Sequence, residues 1–512
     1  MARRPSMNGL LLEQPFPETT TCVLIGGLHD PSDLKFNRYR HLFWLSDNHH
    51  SGPAPGGFAS DKIHRIAIET TTPAALATAL ETFVRYDPRR LPSVYVTTGI
   101  AGPHEAAYRR AIAEIHAVLE DAHRARLTRQ ADGFVWQKHL LANAEAYARH
   151  RIPANWAGAL GGLPAFVVGA GPSLDVSLPK LAAAAERGVV FAADSALRAL
   201  ARHGMAADFA ISIDAAKVPD KCLPPGTPMP RHMILCAISP PAWQQAIPPD
   251  RLGFVSSRQI TEDWLVSLGL ARPEIGAMEN CGSTALELAR FLGCNPVYLF
   301  GLDLAVDAAD QTRRHHRDAD ATLYTQSNYN PATQLPLVPG NYAAQVPTFA
   351  LGDWRALDER LAARTRPHVF NVNDRGARFR GTTLIPPDQF ALDAPEGAKH
   401  AALAAVAPLA SDAPAISTAL TRLRATAANA RRALPDLQRA LDRGGPAALA
   451  TAFRPLLTDP ECSRFLGAFA LKLMPHLVPP IEGDAAFWRK FVTEFAELTA
   501  FVEQPASQTG ES

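Results

Sequence analysis

"PAFVVGAGPSLD", residues 164–175, decides how the chain folds. Phe166, Val167 and Val168 form a short continuous apolar run, the pattern of a strand covered on both faces. The run stops abruptly at Gly169, Ala170, Gly171, Pro172 and Ser173, and a helical pattern follows. Small residues at a strand tip have two readings. They form a plain turn with Ser173 capping the next helix, or they let a ligand such as a phosphate approach backbone at a helix start. The match to G-x-G-x-x-G is incomplete: Leu174 stands three after Gly171 and Pro172 intrudes.

Outward from this turn, further apolar runs occur in "VVFAADS", "FAISID", "MILCAIS", "LGFVSS" and "PVYLFGLDL". Helical patterns such as "PKLAAAAERG", "ALRALARHG" and "STALELARFLG" separate some of them. Strand and helix alternating in this way predict an α/β fold, a Rossmann-like doubly wound, mostly parallel sheet over residues 156–395. Residues 1–155 read as a smaller N-terminal α/β domain. Its strands are "TTCVLIGG", "HLFWLSD", "HRIAIET" and "SVYVTTG", with a helical "PAALATALETFVRY", a Gly/Pro-rich loop at Asn48–Asp61 and a linking helix from about His104 to Arg149. Residues 396–505 are Ala/Leu/Arg-rich and predict an all-helical C-terminal domain. Ile416, Leu420, Leu423, Ala427, Ala430 and Leu434 make one stripe, closed by Pro435; Phe487, Phe491, Phe495, Leu498 and Val502 make another. Residues 506–512 read as a disordered tail. Between Thr312 and Phe349 the periodicity fails, which predicts a long polar loop of the kind that serves as a lid or binding segment.

Composition narrows the class. Hydrophobic residues at 47% and charged residues at 20% indicate a soluble globular chain, and its 512 residues indicate more than one core. A net charge of +1 provides no general pull toward nucleic acid or anionic membrane. Six cysteines stand far apart with no C-x-x-C pair, which argues against a zinc knuckle or disulfide framework and fits a reducing cytoplasm. The apolar stretch after Arg3 and Arg4 is only Leu10–Leu12, too short for a secretion signal, and no run approaches the roughly 18 apolar residues of a membrane span.

Ligands of parallel sheets bind beyond the carboxyl ends of the strands, so the residues expected there are the site candidates. They are Gly169, Gly171, Pro172 and Ser173; then Asp194 and Ser195; then Asp214; then Ser239; and finally Asp303. Asp194, Asp214 and Asp303 on neighbouring tips would repel unless a cation or substrate hydroxyls sat among them, and Mg²⁺ bridging to phosphates is one such arrangement. "NCGSTALELARFLG" opens a helix with Asn280, Ser283 and Thr284, a second edge for an anion or hydroxyl or else an ordinary cap. "RRHHRD", residues 313–318, brings His315 and His316 as candidate general bases beside arginines suited to phosphate. As neighbours on an extended chain the two imidazoles point opposite ways, which disfavours a shared metal.

Four blocks in order, "VVGAGPSLD", "AADSALRALARHGMAADFAISID", "NCGSTALELARFLGCNPVYLFGLDLA" and "NVNDRGARFRGTTLIP", resemble one domain. It is shared by the motility accessory factors of flagellin glycosylation (Maf) and the 6-hydroxymethylpterin diphosphokinase MptE-like proteins. The resemblance covers about Pro164 to Phe390. It implies a Rossmann-like fold related to sialyltransferases and transfer of a CMP-linked nonulosonic acid to Ser/Thr hydroxyls of flagellin or another surface protein. By block, Gly169, Gly171, Pro172 and Ser173 fall on the nucleotide-binding turn, Asp194 and Asp214 on the next tips, and Ser283 and Thr284 on the helix opening. Asp303 falls in the block whose downstream histidine, here His315 or His316, is the base. The chain departs from the pattern at Cys281-Gly282 and in "AVDAADQTRR", which delays the histidine. The MptE side of the resemblance implies instead pyrophosphoryl transfer from ATP with Mg²⁺, with Asp194, Asp214 and Asp303 as metal ligands. A non-catalytic nucleotide-binding or partner-binding module is the third expectation.

Overall fold

The computed structural model describes residues 10–14, 21–26, 41–47, 63–68, 93–97, 100, 104–306, 313–320, 335–364, 367–392, 394–395, 397–406, 413–477 and 481–503. The expected Asn48–Asp61 loop, the helical "PAALATALETFVRY" and the 506–512 tail lie outside them. The chain forms two compact units, residues 1–133 with 471–480, and residues 134–470 with 481–512.

In the first unit five strands, β1 (Leu10–Gln14), β2 (Thr21–Ile25), β3 (His41–Ser46), β4 (Ile63–Ala67) and β5 (Ser93–Thr97), form a sheet in the order β1-β5-β2-β3-β4. Only β1 runs antiparallel, against β5. The sequence reading missed β1, having weighed Leu10–Leu12 only as a signal segment. Its short apolar run becomes a strand because an edge of β5 is there to pair with it. Val23, Ile25, Phe43, Leu45, Val94 and Val96 pack on Tyr108, Ala111 and Ile115 of helix α1 (Glu105–Arg149). Alternation along each strand puts these residues on one face.

The second unit carries the sheet that the turn at Gly169 announces. Its strands are β6 (Ala165–Val168), β7 (Val189–Ala193), β8 (Phe209–Ser212), β9 (His232–Cys236), β10 (Leu252–Val255) and β11 (Val297–Phe300). After a small antiparallel hairpin, β12 (Leu337–Pro339) with β13 (Gln345–Pro347), come β14 (Val369–Val372) and β15 (Thr382–Ile385). The hairpin stands inside the Thr312–Phe349 stretch expected to be a long polar loop. The eight strands are all parallel in the order β10-β9-β8-β7-β6-β11-β14-β15. From β6 the chain winds one way to β10, then returns to the other side of β6 for β11. The direction of winding therefore reverses between β6 and β11, and ligand crevices of such sheets open at that point. The strands from β6 to β8 and β11 are buried at every position, which explains their unbroken apolar runs.

Helices α2 (Leu174–Ala184), α3 (Leu197–Arg202), α4 (Ile260–Ser267), α5 (Cys281–Phe291) and α6 (Leu351–Ala362) follow their strands, and α7 (Ala413–Arg431), α8 (Leu434–Arg443), α9 (Gly445–Thr458), α10 (Pro460–Leu473) and α11 (Ala485–Thr499) make up the C-terminal region. Ile416, Leu420, Leu423, Ala427 and Ala430 of the first apolar stripe and Phe491, Phe495 and Leu498 of the second are buried, and Phe495 meets Phe453 edge-on. Gly467 breaks α10 at φ +41°, and buried Gln137 of α1 satisfies the break. Its amide donates to the Phe465 carbonyl at 2.7 Å and accepts from the Ala468 N–H at 3.0 Å. Two turns further on, Asn143 donates to the carbonyls of Ala237 and Ser239 beyond β9. Among the described residues no helix is long and apolar enough to cross a membrane.

One histidine in this core makes stability depend on pH. His232 stacks on Phe209 at 5.1 Å, Phe209 stacks on Phe191 at 4.9 Å, and Trp156 meets His232 edge-on. Burial, reinforced by the Arg231 and Arg251 charges, pushes the imidazole down to about 4. The unfolded chain, near 6.5, therefore binds the proton more readily between these values. Stability is full above pH 6.5 and declines toward pH 4, at most about 1.4 kcal/mol per pH unit from this group. His232 Nδ1 is buried without a hydrogen bond, so His232→Phe keeps the stack and forfeits no partner at that atom. The variant is expected to lose part of the acid decline in denaturant titrations run from pH 7 to pH 4. An unchanged acid limb would refute the assignment.

Candidate functional site

Each glycine of the opening turn is explained by what presses on it. A Cβ on Gly169 would lie 2.4 Å from the Gly301 carbonyl oxygen, and one on Gly171 would lie 2.4 Å from Asp303 Oδ2. The tip of β11 thus occupies the space that the missing side chains leave. The turn's donors are engaged as well: Gly169 N–H bonds to Phe300 O, Gly171 N–H to Gly301 O and Ser173 N–H to Asp303 Oδ2, each at 2.7 Å. Ser173 Oγ donates to Asp303 Oδ1 at 2.5 Å and makes no helix cap. Ser173 thus makes no cap, contrary to expectation, and the N–H groups of Gly169, Gly171 and Ser173, expected with Pro172 to cradle a phosphate, bond to the tip of β11.

Asp303 is 2% exposed, and Asn373 Nδ2 at 2.9 Å completes its donors. Burial pushes its carboxyl above the usual range, while the donors from Ser173 and Asn373 pull the other way. It clasps the tips of β6, β11 and β14 together across the switch point, and with every oxygen so engaged it is a positioning group.

Asp194, fully buried at the end of β7, has a different company. It accepts from Ser195 N–H at 2.6 Å, Ser195 Oγ at 3.0 Å and Ser212 Oγ at 2.8 Å. Lys217, which the sequence reading did not select, places Nζ 3.2 Å from Asp194 Oδ1 and 2.7 Å from Ser195 Oγ. The Cys281 thiol at the start of α5 lies 3.6 Å from Asp194 Oδ2. Asp214 is exposed and caps its own turn through Ala216 N–H. Ser239 is a buried brace between Cys236 N–H and Ser212 O. Asn280 caps α5 by accepting Ser283 N–H, and Thr284 bonds back to Asn280 O. Ser283 Oγ is buried without a hydrogen bond.

The segment 313–320 lies against the tips of β6 and β7. His316 N–H donates to Ala170 O at 2.9 Å, and its Nε2 lies 2.8 Å from Ser195 O. Its Nδ1 accepts Asp318 N–H at 3.1 Å, so the ring is held neutral with the proton on Nε2. Asp175 binds Arg313, and accepts Arg317 N–H at 3.0 Å; Arg202 pairs with Asp318, and Arg198 pairs with Asp320 at 3.1 Å. With both nitrogens engaged, His316 is a latch, and the expectation of a base there is corrected. His315 remains. Burial, the Lys217 charge and His316 push it down to about 3 against a hydrogen bond to the Ala170 backbone. It is therefore neutral throughout the physiological range and close enough to Lys217 to sense its charge. Beside it, burial and the like charges of Arg375 and Arg317 lower Arg313, which marks three guanidiniums at one rim.

Among the described residues no three Asp, Glu, His or Cys side chains come together as a metal-ligand set. Asp194 is paired with Lys217, Asp303 is engaged by Ser173 and Asn373, and only Asp214 faces outward. The expected Mg²⁺ trio does not converge.

A doubly wound parallel sheet with its polar cluster at the switch point places the second unit in the Rossmann-like class. Residues 138–308 match the family model described as 6-hydroxymethylpterin diphosphokinase MptE-like. Over 97% of this chain and 80% of the other, the fold is similar to the structure of MAf glycosyltransferase from Magnetospirillum magneticum AMB-1, with 19% identity and a TM-score of 0.59. No curated protein matches the chain. The resemblance read from the four sequence blocks holds for this domain and this fold.

Proposed function

We propose that the protein is a glycosyltransferase of the motility accessory factor type, acting in the cytoplasm. It would move a CMP-linked nonulosonic acid onto a Ser or Thr hydroxyl of flagellin or another surface protein. The observation that carries this reading is the fold likeness to MAf glycosyltransferase; His315, which burial and the Lys217 charge push down to about 3, is the base this reading uses at the strand tips. In the transfer, the acceptor oxygen forms a bond to the anomeric carbon and its proton passes to His315. The sugar–phosphate bond breaks, and its electron pair leaves on the nucleotide phosphate. Lys217 and the Arg313, Arg317 and Arg375 rim would stabilise that developing charge. The donor's anionic phosphate would also offset the Lys217 charge and raise the basicity of His315 as the complex forms.

The family description favours a second reading, pyrophosphoryl transfer from ATP. That chemistry leans on a divalent cation held among carboxylates and phosphates, and two of the three candidate carboxylates are engaged within the fold. Thermal unfolding separates the readings. CMP at about 100 times its dissociation constant is expected to stabilise by about 2.7 kcal/mol, with ATP plus Mg²⁺ giving no shift. The reverse pattern would transfer the assignment to the diphosphokinase class. Binding of CMP without turnover of any CMP-sugar would reduce the protein to a binding module.

A further inference from the structure

At the opposite, amino-terminal edge of the same sheet, α5 and α6 flank a narrow cleft that opens to solvent. Arg290, Arg360 and Arg364 line it over a floor of Leu286, Leu361 and Val369. The three guanidiniums face two carboxylates. Glu287, its side chain only 8% exposed, accepts Arg290 Nε at 2.9 Å on one oxygen and Arg364 Nη1 at 2.6 Å on the other. Arg360 forks onto Glu279 through Nη1 at 3.1 Å and Nη2 at 2.5 Å. The cluster is left with a positive charge, and Arg290 and Arg364 each keep donors beyond the single bond to Glu287.

Two buried polar groups in this layer lack partners. Arg360 Nε makes no hydrogen bond, and neither atom of the Asn371 amide makes one, although Asn371 is only 1% exposed. Asn371 stands two residues along β14 from Val369, on the same sheet face, in register with Leu299. Nothing in strand packing calls for an amide between Leu299 and Leu384, where an apolar side chain would cost no desolvation. We propose that this cleft binds a small-molecule oxyanion, a phosphate or carboxylate head held by Arg290, Arg360 and Arg364, whose polar body reaches toward Asn371. The site is separate from the strand-tip cluster and does not depend on the proposed transferase activity.

Amide hydrogen exchange with inorganic phosphate, and in a second arm with succinate, at constant ionic strength locates such binding on the full chain. Saturable protection of residues 278–290 and 351–364 is expected, and the stronger of the two probes identifies the head group. Arg290→Gln and Arg364→Gln, both at partly exposed positions, should weaken binding at least tenfold. Asn371→Leu should leave the melting temperature unchanged or raise it in the absence of ligand. If neither anion protects these segments, or protection survives both arginine changes, the cluster is an ion-pair network joining two helices and the proposal fails. A lowered melting temperature for Asn371→Leu would remove the polar body from it.

Discussion

Asp303→Ala is expected to lose about 3–5 kcal/mol of stability, because three buried donors are left without an acceptor at about 1–3 kcal/mol each. Ser173 N–H, Ser173 Oγ and Asn373 Nδ2 are those donors. The melting temperature should fall on the order of 5–10 °C, as judged from the entropy of unfolding of domains this large. Gly171→Ala should produce a comparable loss by a separate route, since its Cβ would stand 2.4 Å from Asp303 Oδ2, with the carboxyl carbon 2.6 Å away. Ser173→Ala, which removes one bond to a charged group, should cost about 1.5–3 kcal/mol. Denaturant unfolding with an unchanged slope measures all three. An Asp303→Ala protein that unfolds like the parent yet transfers no sugar would return Asp303 to the catalytic role expected from sequence.

His315→Gln is expected to slow transfer by about 10²–10⁴, the range for loss of a general base. The pH profile makes the sharper test. With His315 held near 3, it stays in the proton-accepting form well below neutrality and sets no acid limb on kcat/KM in the ordinary histidine range. Lys217→Gln removes the neighbouring positive charge while keeping an N–H donor toward Asp194. Protonation of His315 then becomes easier, its pKa rises, and an acid limb should move up part of the way toward 6.5. The shift is partial because burial, the larger cause, remains. A Lys217→Gln enzyme that loses rate uniformly at every pH would show that Lys217 holds substrate without touching the base. Folding is checked by circular dichroism, since Asp194 keeps its three bonds from Ser195 and Ser212.

The strands of the second unit were legible because burial on both faces demands unbroken apolar runs, and Gly204 and Gly293 marked where α3 and α5 ended. β1 was not legible: five residues carry no period of their own, and only pairing with β5 makes them a strand. The hairpin β12–β13 escaped for the same reason, as Leu337 is half exposed and the two strands hold only Val338 and Val346 in the core. Asp194, Ser195 and Asp303 follow the carboxyl ends of β7 and β11. Their chemistry was not readable from position. Lys217 sits in a loop with no motif, and only the fold carries its amine 23 residues back to Asp194. A lysine after "SIDAA" was the one available signal, a lone cation just past an acidic strand tip.

Sequence by itself determined that the middle of the chain would wind into a parallel sheet, since hydrophobic period and turn residues are local properties that each segment carries alone. Tertiary structure alone decided what the small residues of "GAGPS" are for. A glycine records only that something approaches closely, and whether that neighbour is a ligand or another strand depends on which tip the winding sets beside it. Here the chain reverses at β6 and delivers Gly301 and Asp303 into that space. The segment that follows lays His316 against Ala170 and Ser195 and sets His315 where the Lys217 charge is felt.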